Sequence, residues 1–200
     1  MKKLLALSAA LLLTPLTISA ISLSDIKDNP DEYVLVSQSS KGDSYVDSYS
    51  IASLRYEPPY YAMSSTVYMV LYSTNSIIKT TLTATYNYDR SFKSLCIAEY
   101  KSHPGANKNY IINLALQDMM DNDGLTTYFG AAEGWDLDGN YQGSLTSSEF
   151  NTLLYLGSDS LDTDVTQCPP DTPVYHIANY MFYKGYDEYF SPKFSSKGLY

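Results

Sequence analysis

"TTLTATYNY", Thr80 to Tyr88, alternates without a break. Leu82, Ala84, Tyr86 and Tyr88 point one way along a strand; Thr81, Thr83, Thr85 and Asn87 point the other. A period of two, rich in β-branched threonine, marks a strand with one dry face and one wet face. Just upstream, "STVYMVLYS" (Ser65 to Ser73) is apolar on both faces, as a central strand would be. Thr74-Asn75-Ser76 turns the first strand into the second. Asp89-Arg90-Ser91 turns again, and "FKSLCIAEY" (Phe92 to Tyr100) reads as a third member, with Phe92, Cys96 and Tyr100 on one face. Such short connections make the three an antiparallel meander.

Outward from this centre the pattern is mixed. "EYVLVS" (Glu32 to Ser37) and "SYVDSYSI" (from Ser44) form a hairpin about Lys41-Gly42-Asp43, and Pro58-Pro59 then breaks the chain. Beyond Gly105, "NYIINLALQDMM" fits helix and strand alike, because its apolar run satisfies both periods. "GLTTYFG" offers a further strand. "SSEFNTLLYLG" is helical, with Phe150, Leu153 and Leu154 on one face and Gly157 as a stop. "TPVYHIANYMFYKG" is the clearest helix: Thr172 caps it, Pro173 takes its first position, and Val174, Ile177, Ala178, Met181 and Phe182 form its stripe. Gly185 is the expected end, and residues 185–200 read as a tail that either moves or docks. The expected class is α+β: an antiparallel sheet packed against two or more helices.

The ends and the charge bound the setting. "MKK" followed by "LLALSAALLLTPL" and "TISA" has the order of a signal peptide: a basic start, a short apolar run, then small residues. Cleavage after Ala20 would leave residues 21–200 as a single exported domain, periplasmic or secreted, with no cysteine at the cleavage region to carry a lipid and no transmembrane segment. The net charge is −9, and losing Lys2 and Lys3 makes it more negative. That argues against nucleic-acid binding and against electrostatic docking on anionic lipid, and suits a cation or a basic protein partner. Cys96 and Cys168 are the two cysteines. After export an even pair is expected to form one disulfide. Twenty-one tyrosines supply most of the aromatic content; they suit strands, and surfaces that need an apolar body with a polar tip.

The N-terminal stretch "YVLVSQSSKGDSYVDSYSI" resembles the opening of the surface-adhesin protein E-like domains of Gram-negative bacteria. The residues that carry the likeness are Tyr45, Val46, Asp47, Ser50 and Ile51, with "DRSFKSLC" similar to that family's middle strands and first cysteine, and Cys168 standing for its second. The likeness spans roughly Tyr33 to Cys168. It implies an antiparallel sheet on helix, a disulfide, no enzymatic activity, and binding to a host matrix or serum protein. The named adhesin is lipid-anchored and this sequence lacks the cysteine for it.

One further stretch could bear chemistry. "DGNYQGSLTSSE", Asp138 to Glu149, has the spacing of a calcium loop. Asp138, Asn140, Gln142, Ser144, Thr146 and Glu149 would supply hard oxygen ligands at alternating positions, and Gly143 the bend. The same letters also spell a turn at Asp138-Gly139-Asn140 followed by a capping box, with Thr146 capping a helix and Glu149 reaching back. Trp135 stands just before the loop as a reporter. Catalytic sets are sparse. There is no Gly-x-Ser-x-Gly, the two histidines His103 and His176 lack partners in the sequence, and Glu133, Asp136 and Asp138 are acids close in sequence but not demonstrably opposed. The expectation is a non-catalytic, adhesin-like module for a protein partner. Its alternatives are a calcium-dependent binding or sensing domain and a periplasmic hydrolase using acidic residues.

Overall fold

A computed structural model of the chain describes residues 20–155, 166–167 and 172–192. Residues 1–19, on which the expected signal peptide falls, and Cys168 lie outside the described residues. The centre is a hairpin of two twelve-residue strands, β4 (Tyr60–Leu71) and β5 (Ser76–Asn87), in register from Tyr60 opposite Asn87 to Leu71 opposite Ser76. Around it run α1 (Leu23–Asp28), β1 (Tyr33–Gln38), β2 (Gly42–Asp47), β3 (Ala52–Glu57), α2 (Phe92–Ser102), α3 (Lys108–Asp121), β6 (Leu125–Asp136), β7 (Tyr141–Leu145), α4 (Ser147–Tyr155), β8 (Thr166–Gln167) and α5 (Pro173–Tyr186). The strands form one antiparallel sheet in the order β1-β2-β4-β5-β6-β7, with β3 on the free half of β4 and β8 beside β6. The α+β class therefore holds.

The third strand of the meander does not. Phe92 to Ser102 is helix α2, and β6 takes the place beside β5. Phe92, Cys96 and Tyr100 recur every four residues, a spacing that period two and period 3.6 both satisfy. Leu95 breaks the tie. It is buried beside Ala115 and Met119 of α3, where a strand would have turned it to the opposite face. Ser91 fixes the start, its hydroxyl accepting from the Ser94 amide at 3.3 Å. The ambiguous run after Gly105 is the helix α3, capped by Asn107, whose side chain accepts from Tyr110 N at 2.9 Å.

The two sheet faces differ, as the alternation in Thr80 to Tyr88 requires. Leu82, Ala84 and Tyr86 join Met63 and Val67 of β4 beneath α5, whose Ile177, Ala178, Met181 and Phe182 are buried. Each large side chain buried in this way is worth about 1.5–3 kcal/mol, which makes this face the main source of stability. The Tyr86 hydroxyl donates to the Ala178 carbonyl at 2.8 Å and ties strand to helix. Among the described residues the other face is covered at one end. There Ile21 and Ile26 of the α1 region meet Tyr45, Tyr68, Val70, Ile77 and Trp135. Gly185 lies inside α5, where an added Cβ would stand 2.4 Å from the Met63 methyl; the left-handed residue at the helix end is Asp187, at φ 53°. The first part of the tail docks: Phe190 is buried, and Asn179 and Ser191 exchange two hydrogen bonds at 2.8 and 2.9 Å.

Cys96 carries a free thiol, half-buried on α2. The expected Cys96–Cys168 disulfide is therefore not part of this structure. Burial among apolar neighbours of the α2–α3 pair pushes the thiol's pKa up.

Candidate functional site

β4 is long enough to hold two partners end to end on one edge. β2 pairs with Val67–Leu71, and β3 pairs with Tyr60–Ser64. Between them the chain makes a jog from Asp47 to Ile51. The side chains of that jog close the ladder where no strand reaches. Asp47 Oδ1 accepts from the amides of Tyr49 and Ser50 at 3.0 and 3.1 Å. The Ser50 hydroxyl accepts from the Thr66 amide at 2.8 Å and donates to the Asp47 carbonyl. Tyr45 and Val46 are buried, and Ile51 packs on the main core. Of the five residues that carry the resemblance, Asp47 and Ser50 thus build the joint between β2 and β3, while Tyr45, Val46 and Ile51 pack into the cores.

That joint sets β3 outside the layer covered by helix. Every residue of β3 is exposed. Among the described residues only β4 pairs with it, so its outer edge presents unpaired backbone groups. Three large side chains crowd this end: Leu54 at 59% exposed, Tyr56 at 66% and Tyr60 at 48%. They are not loose. Tyr56 packs edge-on to Tyr61 at 5.5 Å and tilts against Tyr186 at 5.7 Å. Tyr61 and Tyr186 in turn contact Phe182 at 5.5 and 4.8 Å, and Phe182 lies against Tyr86 and Phe190 in the core. A continuous run of rings therefore leads from the centre of the protein to its surface. Arg55 reaches over Tyr60 at 5.4 Å and pairs with Glu57 at 2.6 Å. Ser53 shares a hydrogen bond of 2.8 Å with the Tyr186 hydroxyl.

The calcium-loop residues are not brought to one point. Asp138 lies in the β6–β7 turn, Gln142 and Ser144 on β7, and Thr146 and Glu149 at the start of α4. At about 3.3 Å per residue, Tyr141 and Leu145 stand roughly 13 Å apart along β7, whereas calcium ligands converge to about 2.3–2.6 Å of one ion. Glu149 is already engaged. Its Oε2 accepts from the Thr146 amide at 2.8 Å and hydroxyl at 2.7 Å, and its amide donates back to the Thr146 hydroxyl at 3.3 Å. This is the capping box, the other reading of these letters, and Gln142 and Ser144 lie on a strand where six ligands would need a curl. Among the described residues no cluster of three His, Cys, Asp or Glu side chains could hold a metal.

The other sequence candidates have structural partners. Asp136 accepts from the amides of Asp138 and Asn140 at 3.0 and 2.8 Å and from the Asn140 side chain at 2.8 Å, which hold its pKa below the ordinary carboxylate range. Glu133 and Asp136 share one strand, three residues apart, and do not face each other across a cleft. His103 closes α2, with Nδ1 at 3.1 Å from Glu99 and its ring edge-on to Tyr110. His176 is fully buried in α5.

No protein family, no curated protein and no solved structure matches this chain. Its site must be read from its own geometry. The sequence reading lacks β3: Pro58-Pro59 reads as a break, whereas in the structure it is the turn of the β3–β4 hairpin. The available signal was "SLRYEPPYYAMS": short aromatic runs on both sides of a turn.

Proposed function

We propose that this chain is an exported, non-catalytic binding module that takes up a segment of a protein partner along the outer edge of β3. The observation that carries the reading is that edge: six exposed residues, paired on one side only, beside tyrosines rooted in the core. An added strand would satisfy the open backbone groups, and Leu54, Tyr56 and Tyr60 would supply contact area. The Tyr56 ring, already held by Tyr61 and Tyr186, loses little freedom on binding, which suits it as an anchor. The acidic balance of the chain favours a basic partner segment. The Arg55–Glu57 pair and the register shift between Ser53 and Arg55 blunt the edge against pairing with its own copies. The likeness of Tyr33 to Cys168 to surface-adhesin protein E-like domains supports the same role and suggests a host matrix or serum protein as the partner.

The test is binding of the purified chain to immobilised matrix and serum proteins, followed by biolayer interferometry. A Tyr56→Ser, Tyr60→Ser double variant should weaken a specific interaction by about 2 kcal/mol or more, near thirtyfold. Thr81→Ser, on the open sheet face, should leave it unchanged. Equal loss in both variants, or none in either, removes the β3 edge as the site.

A further inference from the structure

The hairpin α2–α3 stands apart from the sheet and carries a second feature. Its own core is small: Leu95, Ala115 and Met119. On another side the two helices leave an open groove of about 760 Å³, floored by Phe92, Cys96, Ile97, Tyr100, Ile111 and Ile112. That volume is in the usual range for a small-molecule site. Ile97 and Tyr100 are 47% and 63% exposed, so apolar surface is left open to water along it. The polar groups at its rim are of one kind. Lys93, Lys101 and Lys108 line it, and no acid does. In a chain with 22 acidic and 13 basic residues this is a local reversal of charge. Lys93 is paired with Glu188 at 2.7 Å. Lys101 and Lys108 make no ion pair among the described residues, and both flank the loop that joins the helices at the far end. Lys108 sits in the first turn of α3, where the helix dipole is already positive; an anion placed there would be drawn by both.

We propose that this groove binds a single medium-chain carboxylate, with its acyl chain between α2 and α3 and its carboxylate at Lys101 and Lys108. The groove is apolar along its length and cationic at its tip, which is the pattern of such an amphiphile. An extended peptide would leave backbone groups unpaired against Phe92, Ile97 and Ile112, whereas an acyl chain has none. A membrane surface is disfavoured by the acidity of the rest of the chain, which an anionic bilayer repels. The eleven residues of α2 span about 16 Å, enough for an extended chain of medium length.

The probe is dodecanoate, with dodecanol as its uncharged counterpart, titrated into the purified chain by calorimetry. Cys96 gives an independent readout, because a bound chain would shield its thiol from alkylation, read by peptide mapping. Dodecanoate should bind one to one and slow alkylation of Cys96. Dodecanol, and dodecanoate on a Lys101→Gln, Lys108→Gln variant, should bind about tenfold more weakly. Both lysines are exposed, so the variant's thermal midpoint should match the parent's. The proposal is overturned by any of several results: equal affinity in parent and variant, uptake of many dodecanoates per chain, no protection of Cys96, or binding only to phosphatidylglycerol vesicles or to an acidic helical peptide.

Discussion

Replacing Asp123 with asparagine should stabilise this protein, and by an amount that depends on pH. Asp123 lies between α3 and β6 and is only 6% exposed. Its Oδ1 accepts from the Leu125 amide at 2.9 Å. Burial disfavours the charged carboxylate and pushes its pKa from 3.8 up to about 6, against the smaller opposing effects of backbone hydrogen bonds and of Arg90. A carboxyl whose pKa is raised by folding binds its proton more tightly in the folded state. Stability from this group is therefore greatest below pH 3.8, falls as pH rises from 3.8 to about 6, and stays low above. The difference of about two pKa units corresponds to about 3 kcal/mol at pH 7.5. Asparagine keeps the shape and the acceptor for Leu125 and has no charge to bury. Arg90 keeps its bonds to the Asn122 and Asp118 carbonyls at 2.9 and 2.6 Å, so it is not orphaned. Urea unfolding of both proteins at pH 7.5, 6 and 4 gives the difference directly, and other titrating groups cancel in the comparison. The variant should be more stable by up to about 3 kcal/mol at pH 7.5, with the gap closing towards pH 4. A destabilised variant at pH 7.5, or a gap that does not change with pH, would refute the claim that Asp123 is a charge held at a cost.

Two other changes test the fold and the loop. Gly42→Ala would place a Cβ 2.3 Å from the Val70 carbonyl oxygen, backbone against backbone, where β2 meets β4. Neither strand can move without breaking its register, so a loss of about 2 kcal/mol or more is expected in urea unfolding; a neutral result would mean the strands are not paired as described. Thr146→Ala removes the cap of α4 and should cost about 1 kcal/mol. The Glu149 carboxylate is held below its ordinary pKa by Thr146, so its share of stability is present above pH 4.5 and lost as pH falls further. Millimolar calcium should leave Trp135 emission and the unfolding midpoint unchanged, and a saturable shift in either would restore the metal reading.

The strands were legible where periodicity had one solution. Thr80 to Asn87 alternates, and no helix explains threonine at 81, 83 and 85 with Leu82, Ala84 and Tyr86 between them. Helix α5 was legible for the same reason, since Thr172, Pro173 and the stripe from Val174 to Phe182 agree with one another. Where a pattern served two periods, the chain did not say which it would take. Phe92, Cys96 and Tyr100 fit a strand and a helix equally, and the choice fell to Leu95 meeting Ala115 and Met119, residues some twenty positions away. The calcium spacing failed in a related way. Spacing fixes the order of oxygen atoms, but their convergence depends on whether the backbone curls, and Tyr141–Leu145 instead pairs with β6, with one register shift at Gln142.

By itself, then, the order of residues determined the period of each clear element, the caps that start the helices, the acidic balance and the wealth of tyrosine. These are local or additive properties, and nothing distant can change them. Only the tertiary structure decided which tyrosines are anchored and which edge stays open. Tyr56 looks like any other of the twenty-one until Tyr61 and Tyr186, themselves backed by Phe182, pack against it. The groove between α2 and α3 likewise exists only once two helices lie side by side and gather Lys93, Lys101 and Lys108 along one rim. Both features depend on how separate elements pack against one another, α5 behind Tyr56 and α2 beside α3, and the period of any one element does not contain that.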